Sequence, residues 1–268
     1  MNTTPSAVRF YTDRLSGAVH YPENHDQKHP AIIFVHGFVG SKVGDHRLFV
    51  KAANYFTKLN YVSFRFDFKG CGESDGDYQD VTLTEQIKEL KAAIEYVSQL
   101  DEVDPEQIIL IGHSLGGAVT ALTSSLEKQI KHIVLWSPVA RPYQEISAIT
   151  GAKAVETAKQ EGVYDHKGFL LSHTFFTDLK AHQPLEAISS YSGTALIIHA
   201  EKDEAVPKEN AATYKNAITA SHKDQLVDVA YVNGADHTFS ATHWEQELFA
   251  STSEWLKRAL AHIPEKVS

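Results

Sequence analysis

Ile108-Ile109-Leu110-Ile111-Gly112-His113-Ser114-Leu115-Gly116-Gly117-Ala118 joins four consecutive branched apolar residues to a serine set between glycines. An apolar run of this kind has the composition of a strand covered on both faces, as a central strand of a parallel sheet must be. The chain then has to turn sharply into the helix-forming run Ala118 to Leu126. A serine in so tight a strand-to-helix turn takes a strained backbone conformation, and only small residues two places before and after it let the flanking segments approach. Gly112 and Gly116 occupy those places. The turn lifts the Ser114 hydroxyl clear of the sheet edge and aims the Leu115 amide at whatever that hydroxyl attacks, the geometry of a nucleophile elbow. The bare G-x-S-x-G pattern is weak. The strand before it and the helix after it separate it from a glycine-rich loop that merely packs a helix on a sheet.

Upstream, Val8 to Tyr11 and Leu15 to Tyr21 are extended runs around Thr12-Asp13-Arg14, an antiparallel hairpin expected at a sheet edge. Ala31 to Val35 is a second buried strand, and it opens into His36-Gly37-Phe38-Val39-Gly40, a loop whose glycines let a backbone amide approach a ligand. A helical stripe follows over His46 to Leu59. Tyr61 to Phe68 alternates as a strand, and Lys69 to Gly76 is irregular, with three glycines and a Ser-Asp-Gly turn. Thr82, with Glu85 three residues on, is the expected cap of a second amphipathic helix, and Asp104-Pro105 closes the connection to the elbow strand. Ile133 to Trp136, Thr194 to Ala200 and Leu226 to Val232 are further strands; Lys208 to Ala217 and His243 to Ile263 are further helices. Strand and helix alternate throughout, so the fold class is α/β: a parallel sheet with helices on both faces and right-handed crossovers. Ligands gather at the C-terminal strand ends of such sheets, where every motif above lies.

Ser137 to Ser190 breaks this rhythm. It shows no clear strand and is far longer than an ordinary connection. We expect residues 138–190 to be a lid over a core formed by 1–137 and 191–268, with Tyr143, Tyr164, Phe169, Phe175 and Phe176 lining an apolar pocket. The alternative is a helical decoration whose aromatics only pack on the body.

A length of 268 residues fits one large α/β domain or two small ones, and 43% hydrophobic residues suffice for a sizeable core. A net charge of -9 with no Lys/Arg cluster argues against a nucleic-acid surface. No run is long enough to span a bilayer and Met1 to Ala7 lacks a leader's basic and apolar regions, so neither membrane nor export is expected. The single cysteine, Cys71, excludes an internal disulfide and fits the reducing cytoplasm. Fifteen histidines suggest metal, yet none stands in H-E-x-x-H or in a Cys/His cluster at zinc spacing. His20, His25, His29, His132, His166, His173, His182 and His222 are expected at the surface or in loops, and no metal or other cofactor is expected.

A serine hydroxyl attacks an ester at neutral pH only with a base in reach and a third group orienting that base. For this elbow type the chain order is serine, acid, histidine. Ser114, Asp203 and His237 follow that order, each just past the C-terminal end of an expected strand. Glu201 is the main rival acid. Asp236 adjoins His237, but chain neighbours rarely face one another usefully. His36 and His113 are rival bases, expected instead to order the loops they occupy.

These motifs resemble the α/β-hydrolase superfamily over nearly the whole chain outside the lid. His36-Gly37-Phe38 is similar to its oxyanion-loop motif, Asp203-Glu204-Ala205-Val206-Pro207 and Gly234-Ala235-Asp236-His237 to its acid and histidine loops, and Arg65-Phe66-Asp67 with Gly70 to Gly76 to a structural loop of many members. The resemblance implies a mostly parallel eight-stranded sheet and an oxyanion hole formed by the Phe38 and Leu115 amides. Within the superfamily the chain most resembles small bacterial feruloyl (cinnamoyl) esterases, many of which carry Gln where Leu115 stands. It therefore implies a serine carboxylesterase acting on a small-molecule ester, with lipase, thioesterase, amidase and C–C bond hydrolase as relatives sharing the triad. A non-catalytic binding protein on this scaffold is the alternative of a different class. The oligomeric state is not legible.

Overall fold

The computed structural model describes residues 4–24, 26–221 and 225–261. The chain starts with the antiparallel pair β1 (Ser6–Phe10) and β2 (Leu15–His20), joined by the turn at Tyr11 to Arg14. It then alternates through β3 (His29–Val35), α1 (Leu48–Thr57), β4 (Val62–Phe66), α2 (Leu83–Ser98), β5 (Val103–His113), α3 (Leu115–Ser124) and β6 (His132–Trp136). Between β6 and the next sheet strand lie α4 (Pro142–Thr150), α5 (Ala152–Glu161), a hairpin of β7 (Val163–His166) and β8 (Phe169–Ser172), α6 (His173–Ala181) and α7 (Pro184–Ile188). β9 (Thr194–Ala200), α8 (Asn210–Thr219), β10 (Val227–Val232) and α9 (Thr242–Ala261) complete the described chain.

The main sheet has eight strands in the order β1-β2-β4-β3-β5-β6-β9-β10. β2 pairs antiparallel with β1 and β4, and every other neighbouring pair is parallel. This is the α/β-hydrolase fold that the motifs imply. Alternate strand residues serve opposite faces. Ile33, Leu110, Ile133 and Ile197 join one core, which α2, α3 and α8 cover. Ile32, Ile109, Val134 and Ile198 join the other, closed by α1 and α9. Each such side chain contributes roughly 1.5–3 kcal/mol by leaving water, so the sheet is held from both sides.

Several sequence expectations shift in detail. β5 starts at Val103, before Asp104-Pro105: Val103 pairs with His29 and Ile108 with Ala31, and the four residues between form an irregular bulge. β4 is buried throughout rather than half-exposed, because its polar members are partnered or enclosed: the Arg65 guanidinium donates to His20 Nε2 (3.0 Å) and to the Lys42 carbonyl (3.1 Å). Thr82 caps α2 as expected, accepting from the Glu85 amide at 3.1 Å. His20, His29, His132 and His166 are buried, not superficial, because strand pairing and side-chain hydrogen bonds enclose them. His25, His222 and Ile263 lie outside the described residues. Among the described residues, no group of three or more His, Cys, Asp and Glu side chains could hold a metal ion, and no helix is long and apolar enough to cross a membrane.

The 138–190 stretch contains the β7–β8 hairpin, where no strand was expected. Four-residue strands are too short for a clear alternation, but Lys167-Gly168 carries the signal: both have positive φ (55° and 89°), as a two-residue hairpin turn requires. Its aromatics also divide differently. Phe175 and Phe176 are core residues, Tyr143 lies beneath the Lys180 ammonium (4.2 Å), and only Phe169 of the five reaches the cavity beside Ser114. The stretch is pinned to the body through α6. Asp178 accepts from the Thr84 amide (2.9 Å) and hydroxyl (2.6 Å) at the start of α2.

Burial disfavours the Asp178 carboxylate, but hydrogen bonds from His182 and Thr84 outweigh that and bring its pKa from 3.8 to about 2. A depressed carboxyl adds stability that is complete above its unfolded pKa and is lost as pH falls through the folded one. Asp178→Asn should therefore lower the thermal midpoint at pH 7 by about 2–4 °C. The gap between wild type and variant should close in melts recorded as pH falls from 4 toward 2.

Candidate active site

Ser114 has φ 58° and ψ -124°, a conformation strained for any residue with a side chain. It is locked from three directions: its amide donates to the Trp136 carbonyl (3.0 Å), and its carbonyl accepts from the Gly117 (2.9 Å) and Val139 (3.0 Å) amides. The glycine requirement is steric. A Cβ on Gly112 would stand 2.4 Å from the Gly116 carbonyl oxygen, and one on Gly116 would stand 2.2 Å from the Val35 oxygen.

Asp203 follows β9 and His237 follows β10, and the parallel pairing of these strands brings the two loops side by side. His237 Nδ1 lies 2.7 Å from Asp203 Oδ2, and His237 Nε2 lies 2.9 Å from Ser114 Oγ. Asp203 Oδ1 accepts from the Ala205 (2.9 Å) and Val206 (2.8 Å) amides. Burial pushes the Asp203 carboxyl up, but interactions with His199 and His237 and the hydrogen bond from the Val206 amide outweigh it and hold the group well below the usual carboxylate range. Asp203 is thus ionised at neutral pH and fixes His237 with Nδ1 protonated, leaving Nε2 free to accept the serine proton.

The rival residues do other things. Glu201 accepts from the Gly234 amide (3.0 Å) and ties the acid loop to the histidine loop. Asp236 caps its own turn, accepting from the Thr238 (3.2 Å) and Ser240 (3.0 Å) amides. His113 Nε2 donates to the His237 carbonyl (2.9 Å), and the two rings lie 4.9 Å apart. Burial above all, with His237 close by, drops the His113 pKa to about 3, so it stays neutral. His36 Nε2 accepts from the Phe68 amide (3.1 Å), which places its hydrogen on Nδ1, donating to the Gly37 carbonyl (3.0 Å). Burial lowers its pKa as well.

The Leu115 amide follows Ser114 directly, and Phe38 lines the same cavity as the serine. Leu115 opens α3, where an amide has no intrahelical acceptor, and neither its amide nor that of Phe38 donates a hydrogen bond among the described residues. The 36–41 loop crosses very near the serine: a Cβ on Gly37 would lie 2.9 Å from Ser114 Cβ. Sequence reasoning missed what anchors that loop. Lys42 pairs with the wholly buried Asp67 (2.5 Å) and with Glu73 (2.7 Å), and its amide donates to Asp67 Oδ1 (2.6 Å). Tyr78 takes the Val39 amide on its hydroxyl (3.1 Å), and Phe38 stacks on Phe175 at 5.8 Å. His46 bridges Glu245 (2.8 Å) and the Thr238 carbonyl (2.9 Å), joining the same loop region to the histidine loop. Partner choice here depends on the fold, so isolated Lys, Asp and Tyr residues carry no signal in sequence. His199 was likewise missed; its Nε2 is 3.3 Å from Asp203 Oδ2.

A cavity of about 540 Å³ opens on Ser114 and His237. Phe38, Phe49 and Phe169 supply apolar wall, and Ser41 and Asp45 supply polar edge. A second cleft of about 690 Å³ touches His237 between Ile149 of α4 and the acid loop at Lys202 and Ala205.

Sheet order, elbow and loop placement define an α/β hydrolase by fold. More narrowly, residues 48–262 match the prolyl oligopeptidase family, and the chain belongs to it. It is similar to an uncharacterized 31.7 kDa protein of the traX-finO intergenic region of Escherichia coli, 33% identical over 107 residues, which are 40% of this chain and 36% of that protein. That match therefore spans about a third of the relative's length. The mitochondrial palmitoyl-protein thioesterase ABHD10 of Mus musculus is 26% identical over 222 residues, 75% of this chain and 67% of that one. Among solved structures, Est1E from Butyrivibrio proteoclasticus with ferulic acid bound superposes with a TM-score of 0.78 at 22% identity, over 96% of this chain and all (100%) of that one. At that identity the likeness is one of fold.

Breaking a buried ion pair by removing one partner costs about 3–5 kcal/mol. Lys42→Met, which strands Asp67, should lose stability on that order in urea unfolding, whereas Lys51→Met at the half-exposed pair with Glu245 (2.7 Å) should lose less than about 1 kcal/mol.

Proposed function

We propose that the protein is a serine carboxylesterase. The observation that carries this reading is the unbroken hydrogen-bonded chain Ser114 Oγ, His237 Nε2, His237 Nδ1, Asp203 Oδ2, opening on a cavity. His237 takes the Ser114 proton as Oγ attacks the ester carbonyl. The Phe38 and Leu115 amides receive the negative charge that forms on the carbonyl oxygen. Asp203 stabilises the imidazolium. The alcohol leaves with the proton from His237, and water then cleaves the acyl-enzyme by the same steps. Every group in this cycle is a side chain or amide of the chain itself, so the reaction calls for no cofactor and no metal.

The substrate we propose is a small ester with an aromatic acyl group of the feruloyl or cinnamoyl kind. Flat walls from Phe38 and Phe169 beside a polar edge at Ser41 and Asp45 suit a substituted ring better than a long alkyl chain. The structural likeness to Est1E with ferulic acid bound supports this. Residues 138–190 act as the lid in this reading, delivering Phe169 over the site. The cytoplasm is the proposed location, in keeping with a buried, unpaired Cys71. A thioesterase reading draws support from the likeness to ABHD10.

Ser114→Ala should lower kcat for p-nitrophenyl acetate by at least roughly 10⁴-fold without changing the circular dichroism spectrum. A residual rate near wild type would remove Ser114 from the reaction. Initial rates on methyl ferulate, p-nitrophenyl palmitate and palmitoyl-CoA sort the substrate class. Methyl ferulate should be the best of the three, and a preference for palmitoyl-CoA would establish the thioesterase reading instead.

A further inference from the structure

We infer that His199 is a positioning residue for Asp203: its imidazole is the second donor to Oδ2, and it holds the carboxylate in the orientation that aims His237. The inference rests on the serine-hydrolase reading for its kinetic consequences, but not for its geometry.

An ionised carboxylate offers about four in-plane acceptor sites. In Asp203 three are filled by hydrogen bonds and the fourth faces the His199 ring. Oδ1 takes the Ala205 and Val206 amides at 2.9 and 2.8 Å, and Oδ2 takes His237 Nδ1 at 2.7 Å, with His199 Nε2 standing 3.3 Å away. His199 Nε2 also lies 3.3 Å from the Val206 carbonyl, so it faces two oxygen acceptors and must carry the hydrogen. Both the His199 and Asp203 side chains are shut off from solvent (0%/0%), and no water competes for these bonds.

The other ring nitrogen makes the case sharper. His199 Nδ1 is buried and has no hydrogen-bond partner among the described residues. An unpartnered buried nitrogen destabilises a fold, and an apolar side chain of the same size would avoid that penalty. The neighbouring strand residues Ile197 and Ile198 show that this strand accommodates apolar side chains at full burial. What histidine offers here that leucine cannot is an Nε2–H placed between the acid and the Val206 carbonyl.

With the His199 ring against its fourth site, the carboxylate is held about Cβ–Cγ, and its charge is shared between two ring N–H groups. Remove that donor and two effects follow. Oδ2 carries more charge toward His237 and raises its basicity, and the plane of the carboxylate loosens. Among the described residues, the titratable groups facing the pair are His237 and, from β5, His113, whose ring lies tilted against that of His237.

The test compares His199→Leu, which keeps volume and removes the donor, with His199→Gln, whose amide N–H can stand near the Nε2 position. Should the leucine variant fail to fold, His199→Met is the donor-free replacement. On the ester that wild type turns over best, the donor-free variant should lose roughly ten- to a hundredfold in kcat with KM unchanged. The acid limb of its kcat/KM profile should move to higher pH, and glutamine should restore both. Equal losses in the two variants, or a limb that stays in place, would overturn the inference. The resting protein offers a readout independent of turnover: the downfield proton resonance of His237 Nδ1–H. It should shift in the donor-free variant and return toward its wild-type position in His199→Gln. If no ester is hydrolysed but the resonance shifts as described, the esterase reading fails and the positioning role stands; a resonance that does not shift overturns the positioning role whatever the activity.

Discussion

Everything at the site depends on how closely three backbone segments approach at the end of β3 and β5. Gly116 in the first turn of α3 lies against the Val35 carbonyl, and Gly112 lies against Gly116, with no room at either for a Cβ. That contact drives α3 under the loop that leaves β3. It forces Ser114 into a strained conformation, which the Trp136 and Val139 backbone bonds then hold. It also sets Gly37 against Ser114, which brings the 36–41 loop beside the serine. A strain of about 1–3 kcal/mol is tolerated because two apolar cores, one on each face of the sheet, over-determine the position.

Around this contact, buried polar groups set orientation where apolar packing cannot. Hydrophobic burial is non-directional, whereas a histidine or carboxylate with every site partnered has one orientation. Lys42 and Asp67 fasten the loop after β3 to the loop after β4, His36 fixes the first residues of that loop, and His46 reaches across to the histidine loop. His113 and His199 approach His237 and Asp203 from the other side. The site sits inside a shell of histidines and paired charges, each serving a neighbour.

The main-chain plan was readable because apolar strands buried on both faces announce themselves. The strand order could be expected only as a class, yet the loops at the C-terminal ends carried Ser114, Asp203 and His237 at positions where the fold sets the histidine 2.7 Å from the acid and 2.9 Å from the serine. The readings that changed share one cause. His20, His132 and the β7–β8 strands look superficial or irregular in sequence, and they become structural only through partners far along the chain: Arg65 for His20, Thr194 for His132, and each other for the two strands. The aromatics of residues 138–190 show the same effect. Nothing local distinguishes Phe169, which reaches the cavity, from Phe175, which packs on Phe38.

By itself the sequence determined the alternation of strand and helix, the tight serine turn, and the order of serine, acid and histidine, because each follows from periodicity, glycine placement and chain direction, which are local properties. The tertiary structure alone decided which histidine touches which carboxylate, which lysine neutralises Asp67, and which aromatic walls the cavity. Those outcomes turn on distances of a few ångströms between residues as far apart as His46 and Glu245, and no short stretch of chain encodes such a distance.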